Sequence, residues 1–530
     1  MKNACLSALI AVLAFTAGLA EEPSFKTESR QPTESASLGN LLQGLFTGPY
    51  KIRKERNRAK KLVPSLPDFE TTVTVPDSGT IYSWIEGICQ TPHRRPGTPE
   101  DQQAEKWVAE RFREFGLSNV TLDPIPLQVW TAEQWSLRVG ALEIPSFYVL
   151  NTGWTGPEGV SAPLVYVGTG KPKDFEKVEV KGKIVVAEVP ILYLPTGAML
   201  KLTGSYFALS DPDRQVTLGY GQYLTFLLPN FTGYATEEEA PARDVYWQAY
   251  RRGALAICLI LKGHPSNSNT HYGPYDGIMK PLPGLWIGNY DGERLRALAQ
   301  QGAEASLLLQ GRIEPGVTHN VWGVLPGASD EVILVTSHHD APFLGAVEDG
   351  AGVAQVLAQA WAWSRLPQAK RPKTLVFVVD AGHFYGSIGA AAFAREHREI
   401  MQRTRVLVTL EHLGAKDVEE RDREYAETGQ PALTILFTSH DPEVIATVAK
   451  GLEQKPLPAT VSLPVDLLGP TPPSDAARYI SEAGVPAISW ITGPAYLLDA
   501  YDTLDKVDQA RLKPIAETVA GMIGTFMALP

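Results

Sequence analysis

The sequence predicts an α/β protein whose mixed, mostly parallel sheet is flanked by helices and interrupted by an inserted β-rich domain. After His319, strand-like runs alternate with helical runs, which is typical of a sheet covered by helices on both faces. Between about Val129 and Pro315, short β-rich runs alternate with glycine and proline. The chain has 530 residues, too many for one hydrophobic core, so several folded units are expected.

The predicted sheet takes its strands from runs of branched and aromatic residues. These runs are Val332–Thr336, Thr374–Val379, Val406–Leu410, Leu433–Phe437 and Ala487–Ile491. Helical spacing of apolar residues predicts helices between them and a last helix around Ile515–Phe526. An opening helix is expected to begin after Thr98, which caps it, and to stop at Gly116. In sheets of this kind, ligand-binding residues gather beyond the carboxyl ends of the strands.

The β-rich stretch contains the runs LVYVG, KGKIVVAEV, LAICLILKG and LWIGNYDG. His264 and His271 flank a polar segment within it, for which we expect a surface loop. Cys258 lies in an apolar run and is predicted to be a buried free thiol, because two cysteines beyond the N-terminal region make no disulfide framework.

The N-terminal segment, residues 1–20, is typical of a secretory signal peptide. Lys2 gives it a positive start, residues 4–17 are mostly apolar, and Gly18 and Ala20 are small residues at the expected cleavage site. We therefore expect a secreted or periplasmic protein with no transmembrane anchor after cleavage. Residues 21–77 are polar, include the basic run Lys51–Lys61, and are predicted to be a disordered linker.

The overall charge restricts the class of partner. A net charge of -11 disfavours nucleic acid and acidic membrane surfaces, which attract basic proteins. The sequence leaves the oligomeric state and the role of the inserted domain open.

Residues suited to metal binding cluster after three predicted strands. Four of the ten histidines lie in these three short segments. The segments contain His338, His339, Asp340, Glu348 and Asp349, then Asp380 and His383, then Glu411 and His412. Because imidazole nitrogens and carboxylate oxygens are the ligands of zinc-type ions, and open sites of this kind activate water, the cluster predicts a hydrolytic metal centre.

Several motifs resemble those of the di-zinc aminopeptidases, within the glutamate carboxypeptidase and transferrin receptor superfamily of zinc-exopeptidase fold. The motifs are RRPGTPEDQQAEKWVAERFREFG, NVWGVLPGASDEVILVTSHHDAP, GAVEDGAG and the closing GVPAISWI and DTLDKVD. The insert resembles a protease-associated (PA) domain through GKIVV, YRRGALAICLIL and LPGLWIGNYDGERL. The resemblance implies a phosphorylase/hydrolase-like α/β domain at residues 78–128 and 316–530, and a PA-like insert at 129–315.

The resemblance also implies roles for individual residues. His338 matches the first histidine ligand, and Asp340 matches the aspartate that orients it. Glu348 stands at the position of the metal-bridging aspartate, and the next residue, Asp349, is an alternative. Glu411 matches a carboxylate ligand. These residues would hold one metal ion.

The second metal position of the family is altered in this sequence. Where the family has G-E-E-x-G-x-x-G, this chain has GHFYGSIG. His383 replaces the general-base glutamate and is assigned as the base, because a neutral imidazole accepts protons near physiological pH. Phe384 replaces a ligand, and Leu498 stands where a final histidine ligand is expected, with no histidine after His440. One zinc ion is therefore expected rather than two, and its absence is the alternative.

The sequence thus favours an exported metallopeptidase, an exopeptidase-like hydrolase acting on a peptide or small amide. The alternative is a catalytically inactive binding protein on the same scaffold, as in the transferrin-receptor branch. A glutaminyl-cyclase-like acyltransferase ranks lower, because two of the three zinc ligands of that group have no counterpart here.

Overall fold

A computed structural model describes residues 49–194, 200, 203–214, 222–224, 231, 236–241 and 244–530 of the chain. The expected signal peptide and residues 21–48 of the expected linker lie outside the described residues. Within the described part of the chain, no helix has both the length and the apolar character needed to cross a membrane.

The described helices and strands begin and end as follows. The helices are α1 Pro49–Leu62, α2 Ser78–Ile88, α3 Pro99–Glu114, α4 Pro172–Phe175, α5 Val245–Arg251, α6 Asn289–Gln300, α7 Gly352–Ser364, α8 Ile388–Glu396, α9 Arg398–Arg403, α10 Pro442–Gln454, α11 Ala476–Ala483 and α12 Gln509–Ala528. The strands are β1 Ser118–Val139, β2 Leu142–Ile144, β3 Phe147–Tyr148, β4 Val160–Tyr166, β5 Ile184–Pro190, β6 Leu192–Leu194, β7 Ala208–Ser210, β8 Gln222–Leu224, β9 Ala256–Lys262, β10 Gly284–Ile287, β11 Glu304–Leu325, β12 Val332–His338, β13 Thr374–Asp380, β14 Thr404–Leu410, β15 Lys416–Arg421, β16 Glu424–Pro431, β17 Thr434–Thr438, β18 Thr460–Pro464 and β19 Ala487–Thr492.

The α/β part is a mixed sheet with the order β11-β13-β12-β14-β19-β17-β18-β7. Its central neighbours β13, β12, β14 and β19 are parallel to one another. The predicted α/β class is confirmed, and the five predicted strands match β12, β13, β14, β17 and β19 within two residues at either end. Parallel strands end at the same edge of a sheet, so the residues after β12, β13 and β14 meet there.

Helices cover both faces of this sheet, and the residues of β12 show why. Ile333 and Val335 face the core that includes α3, α7, α10 and α12. Val332 and Leu334 face the smaller core that includes α8, α9 and α11. Successive side chains of a strand point to opposite faces, so a strand buried on both faces needs an unbroken apolar run.

The inserted region is joined to the α/β part by two long antiparallel strands, β1 and β11, which pair from Ser118 and Val324 to Val139 and Ala305. The strands between them form the order β3-β10-β9-β5-β4 and continue the sheet through β11. Cys258 is a buried free thiol, as predicted. The expectation of a surface loop at His264 and His271 is wrong, because both imidazoles are buried, one beside Tyr425 and the other against Trp286.

The N-terminal helix α1 differs from the predicted disordered linker. Ile52 and Ala59, seven residues apart and so on one helix face, are buried. The helix contacts α10, and Glu55 pairs with His440 at 2.8 Å. The expected linker is therefore ordered from residue 49 onward, because a narrow apolar stripe inside a basic run is enough to bury one side of a helix.

Candidate metal centre

The carboxyl ends of β12, β13 and β14 bring three histidines and a glutamate together. His338 is the last residue of β12, His383 follows β13, and His412 follows β14. Glu348 lies in the irregular turn Ala346–Ala351, with φ -99° and ψ 89°, just before α7. All four side chains are buried, and the largest exposed fraction among them is 9%, at the His383 side chain.

Glu348 is the centre of this cluster. Its Oε1 lies 3.2 Å from His338 Nε2 and 4.0 Å from His383 Nε2, whereas its Oε2 lies 2.7 Å from His412 Nε2. Among the described residues, the facing atoms His338 Nε2, His412 Nε2 and Glu348 Oε1 make no hydrogen bond. His338, Glu348 and His383 each offer a ligand atom, and these atoms lie within 4.8 Å of one another. The buried, unpartnered nitrogen and oxygen atoms fit a metal ion of zinc type.

Each histidine is fixed through its other ring nitrogen. His383 Nδ1 donates to Asp475 Oδ1 at 2.7 Å, and His412 Nδ1 donates to the carbonyl of Thr492 at 2.9 Å. His338 Nδ1 donates to the carbonyl of Asp340 at 3.2 Å. Metal-binding histidines usually donate the N–H of the nitrogen that does not bind the metal to a carboxylate or carbonyl. All three rings make a hydrogen bond of this kind.

The electrostatics of the cluster follow from burying acids and imidazoles together. Although burial disfavours its charged form, Glu348 raises the pKa of His412 to about 9. Burial opposes ionisation of Glu348 too, but His412 and His338 lower the pKa of this carboxyl well below its usual range. Burial and the neighbouring Asp475 raise the pKa of Glu411 to about 8. The site therefore combines a carboxylate that stays ionised with one that holds a proton near neutral pH.

The predicted residues Asp340 and Asp349 are both close to His338. Asp340 Oδ1 lies 3.6 Å from His338 Nδ1, and its carboxylate also accepts the backbone N–H groups of His383 and Phe384 at 3.2 and 3.0 Å. Asp340 therefore ties the loop after β12 to the loop that contains His383. Asp349 Oδ2 lies 3.8 Å from His338 Nε2, but both its oxygens accept hydrogen bonds, from the Ser337 hydroxyl and from backbone N–H groups that include that of His412.

The predicted ligand Glu411 lies at the rim of the histidine cluster. Its Oε1 accepts the backbone N–H of Asp475 at 3.0 Å, and its Oε2 makes no hydrogen bond within the described structure. No nitrogen of the described histidines lies within 4.0 Å of its carboxylate, so this side chain is not among the atoms that surround Glu348.

Two buried side chains hold the loop that leads from His338 to Glu348. Arg94 donates to the carbonyl oxygens of His339, Leu344 and Gly345 at 2.6, 2.7 and 2.7 Å. Asp502 accepts the N–H groups of Val347 and Glu348, both at 2.8 Å.

Apolar side chains stand at the two further ligand positions that the family resemblance implies. Phe384 and Leu498 belong to the same hydrophobic core as the insert. Tyr272 and Tyr275 of the insert pack edge-on against Phe384, with ring centroids 5.2 and 5.7 Å apart, and Tyr275 also stacks on His383 at 5.3 Å. The insert therefore forms a wall of the site.

A second buried group, Asp101, Glu105 and His339, also offers three close ligand atoms. Both oxygens of Glu105 already accept hydrogen bonds from His319, and Asp101 Oδ2 accepts from Gly97 and Thr318. His339 Nε2 donates to a backbone carbonyl and its Nδ1 faces Asp101 Oδ1 at 3.0 Å. Asp101 Oδ1 and His339 Nδ1 make no hydrogen bond in the described structure. Although burial disfavours a charged ring, Asp101 raises the pKa of His339 to about 9, so an imidazolium beside this carboxylate can fasten α3 to the sheet.

Sequence reasoning missed the placement of two residues. His412 was recognised as metal-competent, but its position beside Glu348 depends on the direction of its side chain after β14. Asp475 gave no signal in the sequence, because it lies 92 residues beyond its partner His383.

The fold of this chain is similar to that of solved zinc aminopeptidases. Solved structures of similar fold include BSAP, a zinc aminopeptidase from Bacillus subtilis, with TM-score 0.61, 18% identity and coverage of 85% of this chain and 95% of that chain. Another is a Peptidase M28 precursor from Shewanella amazonensis, with TM-score 0.62, 19% identity and coverage of 90% and 98%. At these identities the likeness shows the fold.

Sequence comparison specifies the superfamily further. Residues 320–523 match Peptidase family M28. Human transferrin receptor protein 2 is 26% identical over 406 residues, which cover 69% of this chain and 49% of that protein. The chain thus spans about half the length of this relative. The resemblance to the zinc-exopeptidase and transferrin receptor superfamily is therefore confirmed, with a metallopeptidase-type α/β domain, whereas the PA assignment of the insert stays a prediction.

Proposed function

We propose that the chain is an exported, metal-dependent exopeptidase that hydrolyses peptide bonds at a free N-terminus. The observation that supports this most is the convergence of His338, His383 and Glu348 on one point at the edge of the sheet, inside the segment that matches a peptidase family. A bound zinc-type ion would polarise the scissile carbonyl and lower the pKa of water from about 15.7 to about 7.

The chain's own groups have complementary tasks in this proposal. Asp475 and the carbonyls of Asp340 and Thr492 hold the rings of His383, His338 and His412 in one tautomer. Glu411 has an unpartnered Oε2, and because burial and Asp475 raise its pKa to about 8, its carboxyl can give a proton to the departing amine near neutral pH. The unpartnered Oδ2 of Asp475, whose carboxylate stays ionised, suits the ammonium group of a peptide N-terminus.

The enclosure of the site favours a chain end as substrate. Tyr272 and Tyr275 of the insert lie over Phe384 and His383, and the His383 side chain is only 9% exposed. An internal peptide segment would have to enter and leave such a site on two sides, whereas a chain terminus enters on one.

Hydrolysis of a substrate panel tests the proposal. Aminoacyl p-nitroanilides and dipeptides are offered to zinc-loaded protein alongside the same compounds with an acetylated N-terminus. We expect cleavage of the free-amine compounds only, and a loss of roughly 10³-fold or more in kcat/KM for His338→Ala, because ligand loss removes the metal-assisted step. Zinc-loaded protein that cleaves no member of the panel would contradict the proposal.

We further propose export, on the basis of the N-terminal apolar run alone. N-terminal sequencing of the protein recovered outside the cytoplasm should give a chain that begins after Ala20. Recovery of the chain with Met1 intact in the cytoplasm would argue against export.

The second candidate is a binding protein without peptidase chemistry. Phe384 and Leu498 at ligand positions favour it, since they turn part of the family site into apolar core. Tight metal binding together with hydrolysis that His338→Ala abolishes would exclude this candidate.

A further inference from the structure

The three histidine rings present lone pairs, not N–H groups, to Glu348 when they are neutral. In each ring Nδ1 faces only acceptor oxygens, namely Asp340 O, Asp475 Oδ1 and Thr492 O. The ring proton must therefore sit on Nδ1, and each Nε2 is left with a lone pair. Three lone pairs around one ionised carboxylate repel one another unless positive charge lies between them. A cation bound between these atoms would replace the repulsion by attraction. The alternative source of positive charge is additional protonation of the rings.

Three of the candidate ligand atoms lie close together, and His412 lies apart from them. His338 Nε2, His383 Nε2 and Glu348 Oε1 form the close set, within 4.8 Å of one another, and the rings of His338 and His383 stack with centroids 4.0 Å apart. His412 is not part of this set, and its ring centroid lies 6.1 Å from that of His338. It contacts the other oxygen of the same carboxylate instead.

Among the described residues, no second ion has a comparable set of ligands beside Glu348. The positions beside the site that are occupied by Phe384 and Leu498 are apolar core. Glu348 Oε2, which would face a second ion, already has the imidazole of His412 at 2.7 Å. One ion with two imidazoles and one carboxylate matches the ligand set of catalytic zinc sites, in which the fourth position stays open for water.

We propose that this chain binds one divalent ion of zinc type through His338 Nε2, His383 Nε2 and Glu348 Oε1, and that His412, which lies against the second oxygen of Glu348, is not a ligand. This inference rests on the proposed function and gives its site a composition. His383 is then a metal ligand rather than the general base.

Cobalt(II) substitution tests the ligand set without relying on activity. The purified full chain is stripped of metal and titrated with cobalt(II), while visible d–d absorption reports coordination and a chromogenic chelator in competition reports affinity. We expect saturation at one equivalent. His383→Gln should weaken binding by more than the roughly 10–100-fold that loss of an outer partner costs, and Asp475→Asn by an amount within that range. His412→Gln should still bind one equivalent, because its amide N–H can contact Glu348 Oε2.

Matched controls and outcomes separate the two proposals. His397→Gln, at a histidine paired with Asp123 away from the site, should bind cobalt like the unsubstituted chain. Two equivalents, or unchanged affinity in His383→Gln, would overturn the ligand set even if peptides are cleaved. One equivalent with the expected variant effects but no cleavage would leave the ligand set standing and refute the proposed function. No binding at all would overturn the ligand set and identify protonated rings as the source of positive charge.

Discussion

Arg94 fixes the loop between two proposed metal ligands, so its removal should both destabilise the protein and weaken metal binding. The residue is fully buried, and its guanidinium donates three hydrogen bonds to backbone carbonyls in residues 339–345. Arg94→Met keeps much of the side-chain length but leaves these three carbonyl oxygens without their donors. The loop begins directly after His338 and leads to Glu348.

Two opposing contributions set the change in the free energy of unfolding caused by Arg94→Met. Hydrogen bonds from a charged donor contribute about 1.5–3 kcal/mol each, so three would sum to several kcal/mol. Methionine also removes a buried guanidinium, whose burial costs several kcal/mol. We therefore expect a net loss of roughly 2–4 kcal/mol in the free energy of unfolding. The stability of Arg94→Lys should lie between those of the unsubstituted chain and Arg94→Met, because one ammonium group cannot make all the hydrogen bonds of a planar guanidinium.

Urea unfolding of metal-free protein, followed by far-UV circular dichroism and tryptophan fluorescence, measures this difference. Metal affinity of the same variant should fall by about 10-fold or more, as for other losses of support around a ligand. Arg113→Met is the matched control, because Arg113 is exposed on α3 and forms no ion pair in the described structure, and it should lie within about 0.5 kcal/mol of the unsubstituted chain. An Arg94→Met protein as stable as this control, with unchanged metal affinity, would refute the reasoning.

Three further predictions concern stability. Burial lowers the pKa of His264 to about 3 and that of His271 to about 4. In the unfolded chain both rings titrate near ~6.5, so the stability that depends on their neutral forms is fully present above pH ~6.5. As the pH falls towards 4, each ring should reduce the free energy of unfolding by up to ~1.4 kcal/mol per pH unit. The difference in urea stability between pH 7.5 and 5.5 should therefore shrink by about 1 kcal/mol in His264→Gln, and an unchanged difference would contradict the assignment. An added Cβ at Gly521 in α12 would meet nothing within 4 Å, so Gly521→Ala should stabilise the protein by about 0.5–1 kcal/mol. An added Cβ at Gly389 would lie 2.3 Å from the carbonyl oxygen of Ala381, so Gly389→Ala should destabilise it by about 1–3 kcal/mol. Similar melting temperatures for the two variants would contradict the close packing around Gly389. Removal of bound metal by a chelator should lower the melting temperature, and free zinc at 100 times its dissociation constant should restore about 2.7 kcal/mol; a melting temperature that does not respond to zinc would show that the folded chain holds no ion.

Local signals in the sequence predicted the fold of the α/β part well. The strand runs became β12, β13, β14, β17 and β19, because an unbroken apolar run between polar segments has few other places in a two-faced sheet. The opening helix begins where Thr98 predicts, with its side chain accepting the N–H of Asp101. These features depend on neighbouring residues, which a sequence shows directly.

Features that depend on distant residues were not predictable in the same way. The burial of His264 arises from contact with Tyr425, 161 residues away, and the helix α1 is ordered by its packing on α10. The roles of His412 and Asp475 are set by where their side chains point after the chain has folded. The sequence indicated which loops meet at the strand ends, but it did not indicate which ring nitrogen faces Glu348.

The most direct test of the account is anomalous diffraction at the zinc edge from crystals of the full chain purified with zinc. The account predicts one anomalous peak, about 2.0–2.2 Å from His338 Nε2, His383 Nε2 and a Glu348 oxygen. Two peaks about 3.5–4 Å apart, a peak at Asp101, Glu105 and His339 instead, or no peak near Glu348 would contradict it.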